Sequence, residues 1–537
     1  MRPVRRETLA VLVAEEIRRD ILHGVFKRGD KLPSENELAR TLGVGRPTLR
    51  EALRILEGEG WIRFRFGGGA YVMKDGESPT GNLAHFQKEE MLELLKFELT
   101  QLEEEGKDVP PSAQEELTKL QASNSLEQIE KFYIALSGLG EKRNYPYFEP
   151  SDWETIQKER PKESFKITTK IDLSLLRERI EGAWLGRCIG CTLGKPVEGW
   201  SKEDIEVYLK ATDSYPLADY FVYAPEKIEE GRHPFHPSAI EATKGNISWV
   251  PRDDDIDYTI LNLKLVQENG FDFNSEDVGD MWLSHLPYNM VYTAERQAYA
   301  NLVRGLKPPF TATYWNPFRE WIGAQIRADV FGYLAPGNPE LAASLAYRDA
   351  ALSHTKNGIY GEMFIAGAIS AALVSDDIHE VIAAGLSQVP QRSRLSEMVK
   401  EVMEWSKKAK NWLEVWEKVE ERYGKYHWVH TLPNLAYVLI ALLFGEGDFR
   451  KTVSIAVMCG KDTDCNGATA GSIIGALLGK KGIPEEMYLP FNNTVRSVVL
   501  GFCETKIENL VEITMTVIEK GRVSRQEPNV VTTSVGP

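Results

Sequence analysis

Glycine recurs every fourth residue at 182, 186, 190 and 194 in RIEGAWLGRCIGCTLGKPVEGW, and in a helix that spacing puts all four on one side. A helix face without side chains lets a second backbone approach closely, so this stretch folds as tightly packed α-structure. The same habit returns in LSHTKNGIYGEMFIAGAISAALV and NGATAGSIIGALLG, where Ala and Gly occupy the apolar side of long helical patterns. Residues 173–518 therefore read as one large all-α domain. At 537 residues the chain exceeds what one core holds, so other domains flank it.

Hydrophobic residues make up 42% of the chain and charged residues 27%, the balance of a packed globular protein. The sequence has no apolar run long enough to span a bilayer, and acids interrupt its start where a secretory signal needs an unbroken apolar stretch. Five cysteines give no disulfide framework. The expectation is a cytoplasmic protein with no membrane partner. The net charge of -15 is unevenly spread: residues 1–76 hold 15 Lys and Arg against 11 Asp and Glu, net +4, which leaves -19 for the remainder. A basic module joined to an acidic body follows.

Within that basic module, residues 7–22 place Leu9, Leu12, Val13, Ile17 and Ile21 on one helical face. Ser34 and Glu37 then form a capping box for a short second helix that stops at Gly43. Pro47 opens a third, with Leu49, Ala52, Leu53 and Leu56 inward and Arg46, Thr48, Arg50 and Arg54 outward. WIRFRF and AYVMK alternate as two strands around Gly67, Gly68 and Gly69. Three helices and a hairpin make a winged helix-turn-helix domain over 1–76. Residues 77–172 read as an acidic, partly helical connector with a break at Pro110 and Pro111, and 519–537 as a flexible tail. The fold class is thus mainly α.

LPSENELARTLGVGRPTLREALRILEGEGWI followed by GGGAYV resembles the DNA-binding domain of GntR-family transcription regulators. The resemblance implies a homodimer on a two-fold symmetric operator, with contacts from Arg46, Thr48, Arg50 and the wing glycine Gly68. Asn36 and Pro47 depart from the family pattern.

Two acid clusters mark the body. PRDDDIDYTILNLKLV sets Asp253, Asp254, Asp255 and Asp257 at the start of a helix whose inner face is Ile260, Leu261, Leu263, Leu265 and Val266. CGKDTDCNGATAGSIIG sets Asp462 and Asp464 just before a small-residue helix. Adjacent like charges call for a cation, and oxygen ligands suit Mg²⁺, Mn²⁺ or Ca²⁺. Carboxylates also cap helix N-termini without any metal, so it is the pair of clusters that points to a shared centre. Cys188 and Cys191 form a CxxC on the glycine-rich helix, where they read as small buried residues.

Residues 178 to about 480 resemble the ADP-ribosylglycohydrolase family. GAWLGRCIGCTLGKPVE matches its opening motif, Asp253, Asp254, Asp255 and Ile256 its Thr-Asp-Asp-Thr motif, and Asp462, Thr463, Asp464 and Cys465 its Asp-x-Asp-Thr motif. The resemblance implies two Mg²⁺ ions, with Mn²⁺ as an alternative, held among Asp253, Asp254, Asp255, Asp462, Asp464 and Cys465. They hold ribose hydroxyls and a water while a glycosidic bond at the anomeric carbon is hydrolysed. Glu198, Asp255 and Asp464 fall at catalytic positions, with His354 as another proton donor. IGAQIRAD and LSHTKNGIYGE fall where the family builds substrate loops, which assigns Gly323, Gln325, His354, Asn357, Gly358, Tyr360 and Gly361 to substrate. Asp253, Ile256 and Cys465 stand in place of threonines, and Cys191 in place of an aspartate. The expected protein is a ligand-responsive transcription regulator carrying a Mg²⁺-dependent glycohydrolase for an ADP-ribose-like or other ribosyl compound. The alternative is a catalytically silent sensor of such a ligand.

Overall fold

The computed structural model describes residues 30–58, 61–65, 69–72, 88–123, 125–161, 172–228, 234–235 and 237–524, with scattered positions between 10 and 26. The chain forms two compact units, Met1–Arg143 and Asn144–Pro537.

In the first unit, Ser34 accepts a hydrogen bond from the Glu37 amide while the Glu37 carboxylate accepts one from the Ser34 amide, the reciprocal cap that starts α1 (Glu35–Thr41). Gly43, at a φ of 67°, turns the chain into α2 (Arg46–Gly58). Leu49, Ala52, Leu53 and Leu56 of α2 are buried with Val13, Ile17, Ile21, Leu38, Ile62 and Val72 in one small core. Leu9 and Leu12 lie outside the described residues. Strands β1 (Ile62–Arg65) and β2 (Gly69–Val72) pair antiparallel, with Ile62 opposite Val72 and Arg65 opposite Gly69. The wing tip that includes Gly67 and Gly68 is outside the described residues.

The stretch expected as a connector holds three helices, α3 (Lys88–Glu104), α4 (Ala113–Ala122) and α5 (Leu126–Ser137). Helix α3 packs on both others and buries Met91, Leu95, Leu99 and Leu102. Residues 144–161, also inside that stretch, belong to the second unit. Glu149 is buried there against Arg394 at 2.7 Å, and Tyr147 donates to Glu397 at 3.1 Å.

The body centres on α6 (Leu173–Gly194) and α9 (Thr463–Leu478), with α7 (Asp254–Asn269) and α8 (Lys356–Ala372) beside them. Gly182, Gly186, Gly190 and Gly194 face Gly475, Gly471, Gly467 and Thr463 in that order, so the two helices run antiparallel. A Cβ added at Gly190 would stand 1.8 Å from the Gly467 carbonyl oxygen, and one at Gly194 2.1 Å from that of Thr463. Only glycine permits this approach. The antiparallel register brings the C-terminal end of α6 to the N-terminal end of α9, where Thr463 Oγ1 donates to the Gly194 carbonyl at 2.8 Å.

Two details depart from the expected all-α body. Strands β3 (Thr494–Arg496) and β4 (Glu504–Lys506) form a short antiparallel ribbon. Helix α10 (Ile507–Ser524) runs through the boundary placed at 518, with Leu510, Val511, Val517 and Ile518 buried along it.

Candidate active site

Three chain segments meet at the end of the glycine helix pair. Past Gly194, a 3-10 turn over Lys195–Val197 leads to Glu198. The Gly199 amide then donates to the Lys461 carbonyl and the Lys461 amide to the Trp200 carbonyl, both at 2.8 Å, fastening this loop beside Asp462. The third segment is the start of α7, where Asp253 is the N-cap and accepts from the Asp255 amide at 3.1 Å.

Asp255, Asp464 and Cys465 offer ligand atoms that all lie within 4.8 Å of one another, and so do Glu198, Asp462 and Asp464. Asp464 belongs to both groups. Cys465 Sγ donates to Asp255 Oδ2 at 3.1 Å. Asp254, which opens α7, is half-buried, whereas Asp253, Asp255, Asp462 and Asp464 are buried and Glu198 opens to solvent. The two clusters separated by two hundred residues of sequence thus close on one centre.

The nearby cations are already engaged. Lys195 Nζ sits 2.6 Å from Asp253 Oδ2. Arg187, fully buried on α6, lies 3.0 Å from Asp255 Oδ1 and 2.9 Å from Asp329 Oδ2, and donates to the Asp255 and Ile326 carbonyls. Arg252 holds Asp257 at 2.7 Å, and the Val498 amide donates to the other oxygen of Asp257 at 2.9 Å. Among the described residues no ion pair reaches Asp254, Asp462, Asp464 or Glu198.

This imbalance shows in the proton affinities. Burial and the charge of Asp253 push Asp464 up to about 6. The charge of Asp464 is in turn the largest cause that raises Glu198 well above the ordinary carboxyl range. Burial and neighbouring acids raise Asp254, Asp255 and Asp462 as well. Asp253 is the exception: burial opposes its ionised form, yet Lys195 outweighs burial and holds it below the usual value. Asp462 Oδ1 and Asp464 Oδ1 are buried with no hydrogen-bond partner. A divalent cation fits these residues, since it supplies both the missing charge and the missing partner.

The residues assigned to substrate loops are all buried. A Cβ at Gly323 would fall 2.1 Å from the Glu295 carboxylate, so this glycine makes room for the Glu295–Arg327 ion pair. Gln325 accepts from Thr431 Oγ1 at 3.0 Å. His354 Nδ1 lies 2.8 Å from Ser353 Oγ, and burial with the Arg327 charge holds its pKa well below the usual value, so the ring is neutral. Asn357 donates to Glu320 and Glu149 and accepts from the Leu395 amide. Gly358 lies against the Arg319 carbonyl and Gly361 against Thr431 Oγ1. Tyr360 donates to the Pro150 carbonyl. The structure therefore groups these seven with the internal framework, whose Ile326 and Asp329 steady Arg187.

Arg187, Lys195 and Asp329 were not singled out from the sequence. Arginine inside the glycine-rich run and lysine where that run ends were the available signals, since an ion placed in so tight a helix needs a buried partner. In the winged helix, Arg46 and Arg54 are exposed and Thr48 half-buried, while Arg50 Nε pairs with Glu35 at 2.8 Å.

Comparison with known proteins agrees with this division. Residues 172–522 match the ADP-ribosylglycohydrolase family. Residues 9–72 match the bacterial regulatory proteins of the gntR family. The HTH-type transcriptional repressor NanR of Klebsiella aerogenes is 36% identical over 102 residues, which span 16% of this chain and 39% of that protein. The Uxu operon regulator of Haemophilus influenzae is 34% identical over 89 residues, 17% of this chain and 32% of that one. The chain thus spans well under half the length of these regulators. A solved structure described as an ADP-ribosylglycohydrolase-related protein complex covers 65% of this chain and 99% of its own at 20% identity and a TM-score of 0.41. With more than half its length matched, the chain belongs to the ADP-ribosylglycohydrolase family, and it carries a gntR-family winged helix-turn-helix domain in front of that body.

Proposed function

We propose that the chain is a cytoplasmic, dimeric transcription regulator whose body hydrolyses the anomeric glycosidic bond of an ADP-ribose-like or other ribosyl compound. The observation that carries this reading is the meeting of Glu198, Asp462 and Asp464 within 4.8 Å, open to solvent at Glu198. Asp254, Asp255, Asp462 and Asp464 hold the cations, with Mg²⁺ the natural occupant where all ligands are oxygen. Asp253 leaves the ligand set assigned from the family motif, because Lys195 already claims it.

A bound cation pair orients a ribose diol and lowers the pKa of water. The chain's own groups do the rest. Arg187 fixes Asp255 through both its carboxylate and its carbonyl. Lys195 keeps Asp253 ionised, so the cap of α7 stays formed. Glu198, open to solvent beside Asp462 and Asp464, is the group placed to hand a proton to the leaving atom at the anomeric carbon. Arg46, Thr48 and Arg50, together with the wing glycine Gly68, are the operator contacts in this reading.

The test incubates the full chain with Mg²⁺ and a panel of ADP-ribosyl compounds, nucleosides and nucleotides, and follows the released ribosyl product by chromatography. Release by the wild type, with binding but no release by Glu198→Gln, is the expected pattern. Saturable binding without release from any compound would replace this reading with that of a ligand sensor.

A further inference from the structure

The two groups that share Asp464 differ in chemistry. Glu198, Asp462 and Asp464 offer oxygen alone, whereas Asp255, Asp464 and Cys465 offer two carboxylates and a thiol. Cys465 lies in the first turn of α9, buried, with its Sγ 3.1 Å from Asp255 Oδ2. Arg187 already occupies the other Asp255 oxygen, which fixes that carboxylate with Oδ2 toward the thiol. Asp464 contributes a buried oxygen that has no partner. Ile256, the residue after Asp255, is fully buried and offers no ligand atom, so the third donor on this side of the centre is sulfur.

We propose that Asp255, Asp464 and Cys465 form a thiolate-bearing cation position that takes a thiophilic divalent ion such as Zn²⁺ or Fe²⁺, beside an all-oxygen position that takes Mg²⁺. The proposal rests on the reading that the centre holds cations, and adds which ions. Mg²⁺ keeps to oxygen ligands at near-octahedral geometry, while thiolate sulfur selects softer ions and binds Zn²⁺ at about 2.3 Å. On coordination the Cys465 S–H bond gives way to a sulfur–metal bond and the proton leaves to solvent. Cys191 is also buried but joins neither group, which makes it the control thiol.

The experiment strips the full chain of ions and titrates it with Co²⁺, whose bond to thiolate sulfur produces a near-ultraviolet charge-transfer band. The wild type, titrated with Mg²⁺ present, should develop that band, and Zn²⁺ should abolish it even in a large excess of Mg²⁺. Cys465→Ser should lose the band while Cys191→Ser keeps it, and Cys465→Thr serves if the serine variant does not fold. Cobalt that binds without the band, or a band that persists in Cys465→Ser, overturns the thiolate position and leaves the cation centre standing. Absence of any cobalt binding overturns that centre together with this proposal.

Discussion

Arg187 is the single residue on which the site leans most. Its guanidinium is fully buried and faces two buried carboxylates, Asp255 and Asp329, so its removal strands both. Breaking a buried pair from one side costs about 3–5 kcal/mol. Arg187→Met should therefore lower unfolding free energy by about that much in urea titrations, and a loss below about 1 kcal/mol would show that the pairs contribute little. Lysine will not substitute, because one ammonium cannot reach Asp255, Asp329 and the Ile326 carbonyl together. Proton affinity gives a second prediction. Asp464 has its carboxyl raised to about 6, so it favours folding while protonated and withdraws that support as pH rises through about 6. A cation that binds the ionised acids, as proposed, reverses the effect. The rise in Tm produced by Mg²⁺ should consequently be small at pH 5 and larger at pH 7.5, as measured by thermal unfolding against EDTA controls. A Mg²⁺ effect equal at both pH values would disconnect the acids from the ion.

Glycine spacing governs the elements. The run 182, 186, 190, 194 announced a bare helix face, and the run 467, 471, 475 is present in the sequence as well, but nothing in either says that they face each other or in which direction. That pairing decides the site, because only the antiparallel register lays Glu198 beside Asp462. The capping box at Ser34 and the α2 face were readable because each is a local device. Lys195 and the docking of 144–161 were not, since their partners, Asp253 and Arg394, are distant in sequence. Gly190→Ala should therefore do more than strain one contact. With 1.8 Å between the new carbon and the Gly467 oxygen, the helices must part, at a cost of about 3 kcal/mol or more. The variant should lose Mg²⁺ binding with its stability, in calorimetry and thermal unfolding. Gly140→Ala, with nothing within 4 Å of the added carbon, should change stability by no more than about 0.5 kcal/mol.

At the scale of the whole molecule, one chain joins a gntR-family winged helix-turn-helix domain to an ADP-ribosylglycohydrolase-family body, and the chain enters the body through 144–161. That segment is anchored: Glu149 is clamped by Arg394 and Asn357, and Tyr360 donates to the Pro150 carbonyl. Asn357 and Tyr360 stand on α8, the helix of the LSHTKNGIYGE motif, so the framework behind the candidate site also holds the start of the body. If the proposed ligand shifts this framework, the anchor at Glu149 is the element that carries the shift toward the first unit's end of the chain. Linkage makes the effect reciprocal: the factor by which ligand changes operator affinity equals the factor by which operator changes ligand affinity, typically 5- to 150-fold. The measurement is an operator titration at fixed salt, with and without ligand and Mg²⁺, on Glu198→Gln so that the ligand is not consumed, because salt alone alters such affinities strongly. Arg46→Ala should weaken operator binding by about 1–3 kcal/mol with or without ligand, which separates DNA contact from coupling. Glu149→Ala should leave operator affinity without ligand near the wild-type value and shrink the ligand-dependent change. An operator affinity that is the same with every bound ligand would mean that the two units work independently, and that Glu149 and Arg394 only fasten the chain to the body.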